Sequence, residues 1–167
     1  MRNRVVIFTA ILLIPLLAYT QDIGFQYFIL SDPVATAKDG INVGGGIEYQ
    51  MTQMYFNAQV FVFPDLNGKT YFELSATPLG FNIHNRSRTA RAYTGIKLGI
   101  IKRELYGSYP LVGFQIGGDI FIGKSNFFIG GLWSYDTRED MVIWDQDLDS
   151  EWKLNGLIRV GKRFKRL

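Results

Sequence analysis

The chain of 167 residues contains no cysteine, one histidine and 5 prolines. The absence of cysteine excludes disulfides, thiolate metal sites, cysteine nucleophiles and the lipid-modified cysteine of a bacterial lipoprotein. Beyond residue 20, no apolar run approaches the roughly 18 residues of a membrane-spanning helix. Any membrane insertion of the remaining chain must therefore use strands, because only helices and closed barrels satisfy their backbone groups in lipid.

A surplus of positive charge is also missing once the first residues are set aside. The formal charge is +3, from 18 Lys and Arg against 15 Asp and Glu. Arg2 and Arg4 lie in a segment that we expect to be removed, which leaves 16 basic and 15 acidic side chains, a balance of +1. The basic isoelectric point of the full chain is therefore no argument for nucleic-acid binding, and we expect no nucleic-acid partner.

The first residues have the organisation of an export signal. A short basic stretch, Met1 to Arg4, precedes the apolar run Val5 to Ala18, which is too short to cross a bilayer as a helix. Small residues follow at the expected cleavage position, near Thr20. We expect residues 1–20 to be a signal peptide and residues 21–167 to form one mature domain. A membrane anchor or a buried helix is the alternative for the first segment.

The rest of the chain is dominated by alternation with a period of two. From Ile41 to Met51 the odd-numbered residues are apolar or Gly, whereas the even-numbered ones are Asn, Gly, Glu and Gln. Such alternation indicates a strand with one apolar face. In the run from Tyr71 to Phe81, Pro78 requires a bulge or a site near the strand end. The remaining runs are Ile23–Leu30, Met54–Phe63, Ala92–Ile100, Val112–Ile122, Asn126–Asp136 and Trp152–Phe164.

The connectors between these runs predict hairpins. Asp65 to Lys69 contains Asn-Gly, which favours a type I′ turn, and Gly123 to Ser125 is a tight reversal. The longest connectors, Ser31 to Gly40 and Thr137 to Glu151, fall at the same end of an up-and-down sheet. We therefore predict an all-β, antiparallel up-and-down barrel of about eight strands, with long loops outside the cell and short turns in the periplasm.

Alternation alone does not decide which face of the barrel is inside. A soluble periplasmic lipocalin-like barrel would enclose an apolar ligand with its apolar face, whereas a transmembrane barrel turns that face outward. The polar face here is rich in Gly, Asn and Gln and carries both signs of charge, unlike the dense Lys and Glu of a soluble exterior. Aromatic residues such as Tyr49 and Trp152 lie near run ends, where membrane girdles belong. We expect a transmembrane barrel of a Gram-negative outer membrane, and the soluble barrel is the alternative.

In a transmembrane barrel the interior would hold five charged side chains. An eight-stranded barrel has an interior that side chains can fill, and buried charges must be paired. We therefore expect the two basic residues to bridge the three carboxylates as a plug, with a proton or ion pathway as the functional alternative. These interior residues are Glu48, Glu73, Lys97, Asp119 and Arg159.

The mature region resembles the small outer-membrane barrels of the outer-membrane protein A and X type. The resemblance rests on the signal segment, the eight runs, the mixed interior charges and the final run Asn155 to Phe164, which is similar to a C-terminal assembly signal. It implies outer-membrane lipid and the barrel-assembly machinery as partners. It does not fix the activity, because such barrels serve many functions. We expect a non-enzymatic structural or surface-interaction role, with an outer-membrane lipid-modifying enzyme as the alternative.

Two local motifs suggest chemistry that their context does not support. Gly118 to Ser125 matches the phosphate-loop pattern G-x-x-x-x-G-K-[ST], but it alternates as a strand and precedes another strand where a helix is required. We therefore expect no nucleotide and no other cofactor. His84 lies near Ser87 in a connector, and a solvated turn residue is favoured over a hydrolase pair, which would also need an orienting acid.

The connector from Thr137 to Glu151 is where we expect an extracellular partner to bind. Its carboxylates at every second position resemble the start of a calcium loop, but the turn glycine is missing, so a solvated acidic loop is favoured over a weak metal site. Its apolar segment would contact a partner or fold back on the barrel rim. The carboxylates are Asp145, Asp147, Asp149 and Glu151, and the apolar residues are Met141, Val142, Ile143 and Trp144.

Overall fold

The computed structural model describes residues 24–66, 69–103, 107–123, 125–138 and 152–164. Every strand in these ranges pairs antiparallel with the next, and the last pairs with the first, which closes the sheet into an eight-stranded up-and-down barrel. This confirms the predicted fold. The strands are β1 Gly24–Ser31, β2 Val43–Gln50, β3 Met54–Leu66, β4 Lys69–His84, β5 Ala90–Arg103, β6 Ser108–Ile122, β7 Phe127–Thr137 and β8 Trp152–Arg163.

The strands differ in length around the barrel. β3 to β6 contain 13 to 16 residues each, whereas β1 and β2 contain 8. The longer strands extend beyond the alternating runs, because their pairing continues through polar residues near the ends. Pro78 lies where the register between β4 and β5 shifts, between Ala76 and Leu79. Its missing N–H therefore falls at a break in the ladder.

The two ends of the barrel have different connectors. One end, which we call the short-turn end, carries the connectors 51–53, 85–89 and 123–126. The other, the long-loop end, carries 32–42 and 138–151. At the short-turn end, Gly123 and Asn126 adopt φ of 55° and 62°, and the tight reversal leads from β6 directly into β7. The phosphate-loop pattern therefore spans a strand-to-strand turn, without the helix that phosphate binding requires.

The connector from Ser31 to Gly40, expected as a loop, contains a short helix, α1, at Pro33–Asp39. The Asp32 carboxylate caps it by accepting hydrogen bonds from the backbone N–H groups of Val34 and Ala35, both at 2.9 Å. Proline in the first turn adds no unsatisfied donor. Ala35 packs against the buried interior, so α1 lies against the lumen at the long-loop end.

Asn42 fixes this helix to the start of β2. Its side-chain oxygen accepts from the Asp32 backbone N–H at 2.7 Å. Its amide nitrogen donates to the Asp32 carbonyl at 3.0 Å and to the Thr36 hydroxyl at 2.8 Å. Three hydrogen bonds from one buried side chain therefore hold both the cap and the first turn of α1.

Side-chain alternation separates an apolar exterior from a polar interior. Large aliphatic residues such as Ile29, Ile47 and Ile116 point outward and are more than half exposed. Inward positions carry Glu48 and Gln115, which are at most 1% exposed. No helix in the described residues is both long and apolar enough to cross a bilayer.

Glycines on the inward face leave room for large aromatic rings. Tyr55 is fully buried, its ring lies over Gly80 on β4, and its hydroxyl lies over Gly95 on β5. A Cβ atom on Gly80 would lie 2.7 Å from the Tyr55 Cδ1 atom, closer than packed side chains tolerate. The barrel interior is therefore filled by matched large and small residues.

Candidate functional site: the charged lumen

Four charged side chains meet in the lumen on the side of the short-turn end. Arg91 on β5 contacts Glu48 on β2, and its Nη2 lies 2.5 Å from the Asp119 Oδ2 on β6. Arg159 on β8 lies 3.3 Å from the Glu48 Oε2 and 3.4 Å from the Asp119 Oδ1. Each carboxylate thus contacts both arginines, and all four side chains are fully buried. We call this group the four-charge cluster, and its formal charges balance.

Aromatic and amide groups surround the four-charge cluster. The Arg159 guanidinium lies 4.1 Å from the centroid of the Phe28 ring and donates to the Tyr93 hydroxyl at 3.0 Å. Glu48 accepts hydrogen bonds from the side-chain amides of Gln26 and Gln50, both at 2.8 Å. Cation–π contacts and charge-assisted hydrogen bonds therefore replace the water that these ions lose on burial.

A second group lies nearer the long-loop end. The Lys97 ammonium on β5 lies 2.9 Å from the Glu73 Oε1 and 2.9 Å from the Asp136 Oδ2. The hydroxyls of Ser75 and Tyr71 donate to Glu73 at 2.7 and 2.8 Å. We call Lys97, Glu73 and Asp136 the three-charge cluster. The Lys97 ammonium thus bridges two carboxylates.

A neutral layer separates the two clusters. The Gln115 amide donates to the Tyr55 hydroxyl and to the Thr77 hydroxyl, both at 2.9 Å. Gln115 pairs with Gly95, which lies between Arg91 and Lys97 on β5. This layer therefore crosses the lumen at a level between the clusters.

A cavity of about 50 Å³ lies on the long-loop side of the neutral layer. Gln59, Glu73 and Lys97 line it, and Asp32 and Ala35 beside α1 line its other side. The Gln59 side-chain oxygen is buried and has no hydrogen-bond partner among the described residues. A polar cavity of this size accommodates a few water molecules.

All five interior charges named from the sequence lie in the lumen, but in two groups. The structure brings Glu48, Asp119 and Arg159 together, and it separates them from Lys97 and Glu73. The expected single network is therefore two clusters, because cross-strand register places the residues at different heights in the barrel.

Sequence reasoning missed Arg91 and Asp136. The fifth strand was expected to begin at Ala92, one residue after Arg91, whereas β5 begins at Ala90. Extending the alternation upstream would have placed Arg91 on the face of Tyr93. Asp136 ends a weaker run whose faces alternation did not separate clearly, although it shares its inward direction with Ser134.

His84 is not a solvated turn residue. It is the last residue of β4, is half-buried, and forms a hydrogen bond with the backbone of Thr52. The Ser87 hydroxyl accepts from the Asn85 amide at 3.0 Å within the turn and lies 2.9 Å from the Thr89 hydroxyl. The solvated position expected for His84 was wrong, because β4 continues three residues beyond the alternating run.

The remaining predicted features lie outside the described residues. These are the signal peptide, residues 1–20, the carboxylates Asp145, Asp147, Asp149 and Glu151, and the apolar segment Met141 to Trp144. Within the part of the chain that the structure describes, no group of three or more His, Asp or Glu residues has metal-binding geometry.

Comparison with solved structures finds a likeness to the crystal structure of Neisserial surface protein A. The TM-score is 0.58 at 10% sequence identity, over 86% of this chain and 97% of that chain. At this identity the likeness shows the fold alone. No family model matches the sequence. No curated protein matches it either. The likeness therefore extends to the class of small eight-stranded barrels, without singling out the outer-membrane protein A and X type.

Proposed function

We propose that this chain is an integral outer-membrane β-barrel with a non-enzymatic role in membrane structure or surface interaction. The observation that carries the proposal is the inverted distribution of polarity. Aliphatic and aromatic side chains cover the barrel wall, while ion pairs and amides fill its interior. Water would disfavour such an exterior, whereas a hydrocarbon layer favours it.

Aromatic contacts near both ends support a membrane-sized apolar belt. Near the short-turn end, the rings of Phe25 and Tyr49 lie 4.9 Å apart on β1 and β2. Near the long-loop end, Tyr135 stacks on Trp152 at 5.1 Å. Aromatic rings at these positions are typical of the two interfaces between lipid and water. Aliphatic residues, including Ile47 and Ile158, occupy the exterior between them.

The lumen supports a plugged barrel over an open pore. The neutral layer of Tyr55, Thr77 and Gln115 and the ion pairs on either side of it occupy the cross-section. A soluble barrel for an apolar ligand would need an apolar cavity of several hundred Å³. The lumen cavity here measures about 50 Å³ and is lined in part by Glu73 and Lys97.

The long-loop end is the side proposed for contacts outside the cell. It carries α1 and the connector toward residues 137–151, in which we place the proposed partner surface. We also propose that the barrel-assembly machinery inserts the barrel. A weak cation site, if present, lies in the same connector.

Cell fractionation combined with a gel-mobility assay tests the proposal. When the full chain is produced in a Gram-negative host, we expect it in the outer-membrane fraction and heat-modifiable on a gel, because a closed barrel resists detergent until it is boiled. Recovery in the soluble periplasm would contradict membrane insertion.

Planar-bilayer recording tests the plugged lumen separately. We expect no conductance of the size of a wide porin, because buried side chains fill the lumen. A porin-sized conductance from the folded protein would reject the plug while leaving membrane insertion intact.

A further inference from the structure

An open pocket of about 370 Å³ lies at the short-turn end. It lies between the connector from β2 to β3 and the connector from β4 to β5, with Thr52 and Gln53 on one side and Arg86 and Arg88 on the other. It is separate from the lumen cavity at the opposite end, and neither the ion-paired plug nor the proposed partner loop involves it.

Hydrogen bonds hold the two connectors in place around this pocket. The Asn82 backbone N–H donates to the Gln53 carbonyl at 2.9 Å, and the His84 ring bonds to the backbone of Thr52. The Asn85 side-chain oxygen accepts from the Ala90 N–H at 3.0 Å and closes the second connector. Both arginines therefore extend from a turn with fixed geometry.

The charge of the pocket is positive. Among the described residues, its lining contains Arg86 and Arg88 and no carboxylate. No acidic residue occurs in 51–53 or 85–89. Of the described residues, two carboxylates of the lumen lie toward this end, Glu48 and Asp119, and both are fully buried and contact two arginines each. An anion is therefore the ligand that this end attracts.

An apolar surface continues directly from the pocket. Ile83 lines it and is 77% exposed, and Phe81, two residues earlier on the outward face of β4, is 53% exposed. A ligand bound here would contact guanidinium groups at its charged end and the barrel wall along its apolar part. That combination is the chemistry of a phospholipid.

We propose that this pocket binds the phosphate of an anionic phospholipid in the leaflet next to the short-turn end. Arg86 and Arg88 donate to the phosphate oxygens, which guanidinium groups bind in bidentate fashion. The acyl chains lie along Ile83 and Phe81. The inference rests on the proposed membrane insertion, and it adds a lipid-selective site to it.

The single histidine provides a reporter for this site. In the detergent-folded full chain, only His84 gives imidazole signals in a nuclear magnetic resonance spectrum, because the sequence contains 1 His. We expect short-chain phosphatidylglycerol to shift these signals saturably, and short-chain phosphatidylcholine to shift them much less. Inorganic phosphate alone is the third ligand, and it measures what the anion contributes without acyl chains.

A charge-matched pair of double variants tests the arginines. Arg86→Gln with Arg88→Gln is compared with Lys38→Gln plus Lys102→Gln, which removes the same charge near the long-loop end. We expect the arginine double variant to weaken phosphatidylglycerol binding by about tenfold or more, because each replaced arginine loses a charge-assisted hydrogen bond to the phosphate. The lysine double variant should leave the binding unchanged.

Three results would overturn the proposal. They are equal affinity for phosphatidylcholine, equal affinity for inorganic phosphate alone, or equal weakening by both double variants. Heat-modifiability of each variant is measured first. A chain that fails to fold in detergent counts against membrane insertion, whereas a folded barrel without selective binding counts against this site alone.

Discussion

Arg159 shows how one residue combines the demands of burial and charge. It is fully buried, contacts two carboxylates from different strands and lies against the Phe28 ring. A buried pair adds little to stability over an apolar replacement of both partners, but removing one partner leaves an uncompensated charge. The effect of Arg159 on stability is therefore expected mainly when it is removed alone, because its buried carboxylate partners remain.

We predict that Arg159→Met lowers the free energy of unfolding by about 3–5 kcal/mol, because Glu48 and Asp119 lose one of their two arginines. Urea unfolding of the barrel in detergent or lipid measures this. Lys102→Met, at an exposed basic residue of the same barrel, is the matched control and should change stability little. Equal stability of the Arg159 variant and the control would contradict the role of the four-charge cluster.

At the scale of elements, α1 is a helix that its surroundings stabilise. Its 7 residues are too few for an isolated helix to persist in water. α1 is stabilised instead by the Asp32 cap, the Asn42 hydrogen bonds and the contact of Ala35 with the interior. α1 therefore depends on a residue outside itself, Asn42.

We predict that Asn42→Ala releases α1 without unfolding the barrel. Loss of the Asn42 hydrogen bonds should speed amide hydrogen exchange at Thr36 and Gly40 by about fivefold or more. The backbone N–H groups of these two residues donate to the Asp32 and Thr36 carbonyls of α1 and its cap. Lys38→Ala, at an exposed position of α1, is the control and should leave the rates nearly unchanged. If exchange in both variants matches the unmodified protein, Asn42 does not hold the helix.

At the scale of the whole molecule, the exterior is an apolar surface. The free-energy cost of placing a charge on it depends on depth in the membrane. Ile116 lies near the middle of β6 and Ile122 is its last residue, and both are 56% exposed. The two positions share chemistry and accessibility and differ in their distance from the barrel end. They therefore form a matched pair for locating the hydrocarbon layer.

We predict that Ile116→Lys destabilises the lipid-inserted barrel by about 2–4 kcal/mol and Ile122→Lys by about 0–1 kcal/mol, because the cost of a charge falls toward the interface. Unfolding titrations in lipid vesicles measure both. In detergent the difference should shrink. Equal costs at the two positions would show that no hydrocarbon layer surrounds the barrel.

The sequence was sufficient for the architecture because alternation directly reports strand faces. It was insufficient for the site, because contacts across the lumen depend on register between strands. Gln115 lies between the two clusters since it pairs with Gly95, a relation that neither strand reveals by itself. Arg91 was missed because the start of β5 was placed two residues too late, at Ala92. α1 was missed because its stability comes from Asn42 and the barrel rim, which local propensity does not describe.

The position of Arg159 on the final strand has a consequence for how the barrel is completed. β8 bonds to both β7 and β1, whereas the carboxylates that Arg159 contacts belong to β2 and β6. In a curled sheet whose β8 pairs with β7 but not yet with β1, Arg159 is separated from Glu48, which lies on β2 beyond the open seam. Closing the ring therefore also brings Arg159 to Glu48 and completes the four-charge cluster. The separation of β8 from β1 is therefore the step that we expect to set the lifetime of the native state.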